Sequence, residues 1–417
     1  MEKIAFLFPG QGAQYVGMSK NLYDNYAIVK ETFHEADDVL GFKLSELCFE
    51  GSLVDLCKIE NMFPALLVSA VASYRVYMKE IGITPQFCAG HSLGEYSALT
   101  CAGVLQFSDA VKIVAKRGQL AQEEADAQTG AMTIIDKIDA AVVEDECIKA
   151  SIDSEKVYIS CFNSPAQVAV SGHREAVRRV EDRVLELGGQ ISPLMDSAPF
   201  HSPLMINVAD KLHAELEKYP IGNFRYPVIS NVTGKPYSSK SKVIKLLTDQ
   251  IMYPVQWQNT MKYFEAYGIT VVVDMGSMNV LDTLVAANTK GLKSFCFGDK
   301  ENRKALTKQL LSSSNMSRSV PTFITKCLAA AVSLPNLNYN NDEYQKGVVE
   351  PYKKIQDMQI TLEKLGLPPS KEQMDEAINA LLLIMKTKKV FDEEQKEVIS
   401  QIIEETGTTY YYKELVV

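Results

Sequence analysis

Short, uninterrupted apolar runs alternate along the chain with longer stretches whose apolar residues recur every three or four positions. Residues 3–8 read as a buried strand, followed by the glycine-rich loop Phe8-Pro-Gly-Gln-Gly-Ala-Gln14 and a polar helical segment from about Ser19. Between Pro64 and Gly82, Leu67, Val71, Tyr74, Tyr77 and Met78 fall at helical spacing, and Gly82 suits a left-handed helix end. Gln86–Ala89 reads as a strand, Glu95–Ala102 as the helix leaving the turn that follows it, and Asp109–Glu124 as a further helix.

From about Gly130 to Ser197 the texture changes. Met132–Ile135, Val157–Cys161, Gln167–Ser171 and Gln190–Met195 read as strands, with helices at Val142–Ala150 and Arg174–Leu187. This β-α-β-β-α-β order is ferredoxin-like and suggests a small subdomain inserted in a larger one. Beyond it come Val228-Ile-Ser, a helix over Val243–Met252 and the β-branched run Ile269–Asp274. The serine-rich stretch 312–319 reads as a linker to a helical tail, in which Ser370 with Gln373 forms a capping box, Asp392 opens another helix and Gly407 is placed to end it.

Composition narrows the function without naming it. With 417 residues, 46% hydrophobic and 23% charged, the chain can bury one large core and a smaller one. The apolar run behind the first charges is too short for a signal segment and no stretch approaches a membrane span, so a cytosolic protein is expected. Eight scattered cysteines without a C-x-x-C pair argue against a disulfide framework or a zinc site. A net charge of −9 has the wrong sign for a nucleic-acid partner. The N-terminal glycine loop carries Tyr15 where a dinucleotide fingerprint needs glycine, which excludes that reading.

Candidate chemistry centres on Gly90-His-Ser-Leu-Gly94, a G-x-S-x-G motif with a strand before it and a helix after it. That context suits a nucleophile elbow: small flanking residues let the chain turn sharply and expose the Ser92 hydroxyl at a helix N-terminus, where free N–H groups stabilise an anion. The bland alternative is a glycine turn with a capping serine. A serine nucleophile needs a base, and the chain offers five histidines: His34, His91, His173, His201 and His213. His91 adjoins the serine and is expected to point away, while His34, His173 and His213 sit in charged surroundings. His201, at a strand-to-helix boundary bracketed by Pro199 and Pro203, is the candidate base. A third, acidic member is not legible. These elements predict an α/β protein: an α/β-hydrolase-like large subdomain (1–129 and 198–311), a ferredoxin-like insert (130–197), a linker (312–319) and a C-terminal helical extension (320–417).

Five dispersed motifs, Phe8-Pro-Gly-Gln-Gly-Ala-Gln14, Gly90-His-Ser-Leu-Gly-Glu-Tyr96, Lys116-Arg-Gly118, Phe162-Asn-Ser-Pro165 and Phe200-His-Ser202, resemble those of the malonyl-CoA:acyl carrier protein transacylases over about residues 1–311. The resemblance implies that Ser92 is acylated by malonyl-CoA with His201 as base, that Gln250 orients His201 through its backbone carbonyl, and that Gln11 and Leu93 N–H groups form an oxyanion hole. It further implies that Arg117 grips the malonyl carboxylate, that Phe200 disfavours an α-methyl group, and that Asn163 binds substrate. No cofactor is expected. The implied partners are malonyl-CoA and an acyl carrier protein, those of polyketide synthases included, with neither nucleic acid nor membrane. Two departures from the family pattern stand out: Phe63 where glutamine is common, and Asp274–Leu281 without the usual Gly-Pro-Gly. A thioester hydrolase of the same fold and a helical tail that docks a synthase remain alternative readings. A basic helix face, Arg174, Arg178 and Arg179, is a candidate landing surface for the carrier.

Overall fold

The computed structural model describes residues 2–195, 197–316, 323–365, 369–406, 408, 412 and 415. The chain divides into two compact units, residues 2–76 with 85–306, and residues 77–84 with 307–417. Nine strands are present among the described residues: β1 Ile4–Phe8, β2 Phe87–Gly90, β3 Gly130–Asp136, β4 Val157–Ser164, β5 Gln167–His173, β6 Gln190–Pro193, β7 Val228–Ile229, β8 Val271–Asp274 and β9 Lys293–Cys296. All nine lie in the larger unit.

Five of them form a parallel sheet in the order β7-β2-β1-β8-β9. β1 and β8 are buried at every position, as the apolar runs Ile4–Phe8 and Val271–Val273 predict for strands covered by helices on both faces; Asp274, which ends β8, is buried with them. Ala5 pairs with Phe87 and Phe8 with Gly90, so both strands end at the same edge and deliver the Pro9–Gln14 loop and the turn at Ser92 side by side. The helices Gly94–Cys101 and Phe107–Asp126 follow directly and bury Tyr96 and Arg117.

The remaining strands make an antiparallel sheet in the order β4-β5-β3-β6. Helices Ala140–Ala150 and Arg174–Glu186 bury Val143, Cys147, Val177, Val180 and Val184 in a core shared with Ile135, Val157, Val168 and Val170. The β-α-β-β-α-β order read from the sequence is therefore the order of elements observed.

In the smaller unit, helices Phe323–Ser333, Glu350–Leu365, Lys371–Thr387 and Asp392–Glu405 share a core that includes Ile324, Ile355, Leu381, Ile384 and Ile403. The capping box at Ser370 and Gln373 is formed, and Asp392 is the first residue of its helix; Gly407 lies outside the described residues. Two boundaries differ from expectation. The helix expected from Pro64 begins at Ile59 and carries Pro64 within it, five residues in, where the missing N–H costs one hydrogen bond near the helix start. Residues 312–316, expected in a linker, continue the helix Lys300–Met316, because serine and asparagine tolerate a helix once it is nucleated; 317–319 lie outside the described residues.

Candidate active site

Ser92 occupies the turn between β2 and the helix Gly94–Cys101 with φ +50°, a left-handed conformation that costs a serine about 1–3 kcal/mol. Close approach dictates the flanking glycines. A Cβ on Gly90 would sit 1.9 Å from the carbonyl carbon of Gly94, and one on Gly94 would sit 1.9 Å from the Phe8 carbonyl oxygen. Both the sharp turn and its seat against β1 exclude any side chain there. Asn231, just past β7, clamps the turn: its Oδ1 accepts from the Ser92 N–H at 2.7 Å and its Nδ2 donates to the Gly90 carbonyl at 2.6 Å.

His201 also has a positive φ, +59°, and is 2% exposed. The loop that carries it is held by Ser171 and Ser202 hydroxyls, which donate to the Phe200 and Pro199 carbonyls at 2.6 and 2.7 Å. Its Nδ1 lies 2.6 Å from the Gln250 backbone carbonyl, which can only accept, so Nδ1 carries the proton. Nε2 is then a bare acceptor, 2.8 Å from the Ser92 Oγ, which donates to it. The sequence separation of 109 residues is closed by the fold alone.

Burial, and next the positive charge of Arg117, push the His201 pKa down to about 3; the Gln250 carbonyl opposes this. The imidazole is therefore neutral and able to accept a proton across the physiological range. A lowered pKa moves the acid limb of Ser92 reactivity well below the usual histidine value. Inactivation by a serine-directed phosphonate is expected to stay flat between about pH 5 and 8. In Arg117→Met the limb should rise, since removing a nearby cation makes protonation of His201 easier.

Arg117 is fully buried on the helix Phe107–Asp126, with its guanidinium carbon 4.6 Å from the Phe63 ring centroid and 5.3 Å from those of Tyr96 and Phe200. Its Nη2 reaches the Ser92 Oγ and the Gln250 Oε1, each at 3.4 Å. Nε and Nη1 have no hydrogen-bond partner within the protein, and among the described residues no carboxylate forms an ion pair with it. A buried cation with orphaned donors facing a hydroxyl is a site prepared for an anion. Phe63, the departure from the family pattern, stacks on the guanidinium and lies 5.8 Å from Phe200, so it adds an aromatic wall in place of a polar neighbour, as its identity in the sequence implies.

Gln11 and Leu93 belong to the two adjoining turns; a Cβ on Gly10 would lie 2.5 Å from the His91 carbonyl oxygen and 3.6 Å from the Leu93 nitrogen. Asn163 is one step removed from the serine: its Oδ1 accepts from His91 Nε2 at 2.8 Å while its Nδ2 donates to Gln167 Oε1 at 3.0 Å. The His91 ring packs edge-on against Trp257. Glu95, Asn231 and Tyr237 escaped the sequence reading. Glu95 stands inside the motif but gives no sign of its partners, and the other two lie in a segment with almost no regular structure.

The three arginines proposed as a landing surface are engaged within the protein. Arg178 pairs with Glu175 and Asp182, Arg179 with Glu155 and the Ala150 carbonyl, and Arg174 donates to the Gln128 carbonyl. Among the described residues no group of three or more His, Cys, Asp or Glu side chains could hold a metal ion, and no helix is long and apolar enough to cross a membrane.

A strand-turn-helix serine, a histidine of fixed tautomer and a buried guanidinium at the edge of a parallel sheet are the arrangement of acyl-group transferring enzymes. The chain belongs to the acyl transferase domain family, whose profile matches residues 5–333. It is 34% identical to a malonyl CoA-acyl carrier protein transacylase of Bacillus subtilis over 96% of this chain and all of that protein. It is 41% identical to the enzyme of the same name from Escherichia coli strain K12, over 68% of this chain and 92% of the relative. Among solved structures, a malonyl-transacylase in complex with its type II PKS acyl-carrier protein superposes with a TM-score of 0.71 at 36% identity, covering 74% of this chain and 99% of that one.

Proposed function

We propose that Ser92, His201, Gln250 and Arg117 carry out malonyl transfer from malonyl-CoA to the phosphopantetheine thiol of an acyl carrier protein, through an acyl-serine intermediate. The Ser92 Oγ attacks the thioester carbonyl as His201 Nε2 takes its proton; the tetrahedral adduct expels the CoA thiolate, which His201 protonates. In the second half the carrier thiol gives its proton to His201 and attacks malonyl-Ser92, regenerating the hydroxyl. The backbone N–H groups of Gln11 and Leu93 are assigned to the oxyanion, a reading supported by the contact of the two turns and the position of Leu93 at a helix start.

The observation that carries this reading is the unsatisfied guanidinium of Arg117 beside Ser92. An acyl group ending in carboxylate supplies the missing acceptor, and two parallel N–H···O bonds suit guanidinium geometry. Phe200, 3% exposed and part of the aromatic wall, is proposed to crowd an α-methyl, a preference of about 1–3 kcal/mol. For Asn163 the hydrogen bonds support fixing the His91 ring more than gripping substrate directly. A cleft of about 940 Å³ lies beside His201, lined by Ile159, Phe162, Met252 and Tyr253 among others and not by Ser92 or Arg117. We extend the proposal to organisation. The sheet order β4-β5-β3-β6 supports a ferredoxin-like subdomain over 130–197 within an α/β-hydrolase-like core, and the separate apolar core supports a distinct helical unit near 320–417.

The test is direct. Malonyl-CoA is expected to add one malonyl group to Ser92, visible by intact mass, and the group should leave on addition of holo-carrier protein and not of water alone. Equal turnover with and without carrier would replace transfer by hydrolysis.

A further inference from the structure

Beneath the elbow lies a second polar layer that the proposed chemistry leaves unexplained. Glu95, in the first turn of the helix Gly94–Cys101, is fully buried. Its Oε1 accepts from the Tyr237 hydroxyl at 2.5 Å, and its Oε2 from Gln250 Nε2 at 2.6 Å and the Asn231 N–H at 3.2 Å. Three contacts settle how the Gln250 amide faces. Nε2 also donates to the Ser92 carbonyl at 2.9 Å, which can only accept, and Oε1 faces Arg117 Nη2, which can only donate. The amide is thus oriented by an acid on one side and displays its oxygen to the guanidinium on the other. The same residue's backbone carbonyl holds His201. Gln250 touches serine, histidine and arginine at once, and Glu95 is the group that fixes its side chain.

We propose that Glu95 is a positioning residue for acyl selection: by accepting from Gln250 Nε2 it keeps Oε1 turned to Arg117, and so holds the guanidinium aimed at the carboxylate end of the acyl group. This rests on the reading of Arg117 as the malonyl anchor. An acid at the start of a helix also interacts favourably with the helix dipole, which alone would make Glu95 structural. The two roles separate by substrate. A structural acid supports malonyl and acetyl loading equally, whereas a group that aims Arg117 matters for malonyl alone. Burial raises the Glu95 pKa to about 7, opposed by hydrogen bonds from Tyr237, Gln250, Asn231 and Ser230, and a proton placed on Oε1 facing Tyr237 leaves Oε2 an acceptor in either protonation state.

The experiment measures Ser92 loading by malonyl-CoA and by acetyl-CoA in single-turnover mixing, for the full chain. Glu95→Met, similar in size and unable to accept, is expected to lower the malonyl-to-acetyl ratio at least tenfold with acetyl loading within about threefold of wild type. Glu95→Gln, which keeps an acceptor oxygen toward Gln250, should restore the ratio to within threefold. Tyr237→Phe, a milder change that loosens Glu95 without touching Gln250, should lower it about threefold and decides the matter if Glu95→Met does not fold. Parallel loss of both substrates in Glu95→Met, or an unchanged ratio in Glu95→Met or Tyr237→Phe, overturns the proposal. Arg117→Met is the reference: loss of the ratio there with retention in Glu95→Met rejects Glu95 alone, and retention in Arg117→Met rejects the malonyl anchor itself.

Discussion

His201→Ala is expected to lower single-turnover malonylation of Ser92 by about 10⁴–10⁶, with the Ser92→Ala/His201→Ala pair no worse than Ser92→Ala alone. The magnitude follows from how completely the site commits to one base. The Nδ1 proton is pinned by a carbonyl, Nε2 is bare and 2.8 Å from the hydroxyl, and the ring is almost fully buried. Among the other histidines, His91 has its Nε2 engaged with Asn163 and His213 its Nδ1 with Thr248. Gln250→Ala offers the informative contrast. It removes the amide that touches the Ser92 carbonyl, Glu95 and Arg117, but the carbonyl that orients His201 belongs to the backbone and survives. Its cost in acetyl loading should be one to two powers of ten, far short of the histidine. Equal losses in the two variants would mean that the backbone carbonyl is not what holds the imidazole.

A triad-like site without an acid beside the histidine explains part of what was legible in the sequence and part of what was not. Local geometry writes itself locally: Gly90 and Gly94 are required by contacts of 1.9 Å, and the strand before and helix after them are periodic signals. His201 could be reached by elimination, since five histidines are few and the prolines around it mark a stiff loop. Arg117 could not be distinguished from a solvated helix charge by pattern; the resemblance alone singled it out. Its burial is decided by Phe63, Tyr96 and Phe200, which approach from three separate segments.

The buried layer was invisible for the same reason. Glu95 meets Asn231, Tyr237 and Gln250 across 136, 142 and 155 residues, and no periodicity records such meetings. In the fold, β1, β2 and the β-α-β-β-α-β order were readable because each apolar run or alternation is self-contained. β9, with exposed Lys293 and half-buried Ser294, lies at the edge of the sheet and lacks that contrast. The linker at 312–319 misled because serine enrichment reports composition, while helix continuation is decided by what precedes it. Charge count also misses pairing in the arginine face: acidic or carbonyl groups within the protein engage each member, while Arg178 stays largely exposed.

Arg117→Met should divide the substrates and stabilise the empty protein in one step. Malonyl loading depends on an anion meeting a cation already stripped of water, and truncating one partner of such a pair costs about 2–5 kcal/mol. Conversion at 1.4 kcal/mol per tenfold gives a loss of roughly 30- to 4,000-fold in kcat/KM for malonyl-CoA. Acetyl-CoA presents nothing to the guanidinium, so its loading should hold or rise. In the wild-type chain the buried guanidinium has no protein partner at Nε or Nη1, and burial pulls its pKa below the usual arginine range. A methionine fits among Phe63, Tyr96 and Phe200 without that penalty. The urea midpoint of the free enzyme is therefore expected to move up while malonyl transfer collapses. Malonyl-CoA should raise the wild-type midpoint and leave the variant's almost unmoved, because the ligand stabilises only where it has differential affinity for the folded state. Parallel loss of malonyl and acetyl loading would show that Arg117 supports the serine and does not read the acyl group. A lowered midpoint in the variant would show that Glu95 and the surrounding rings already compensate the charge.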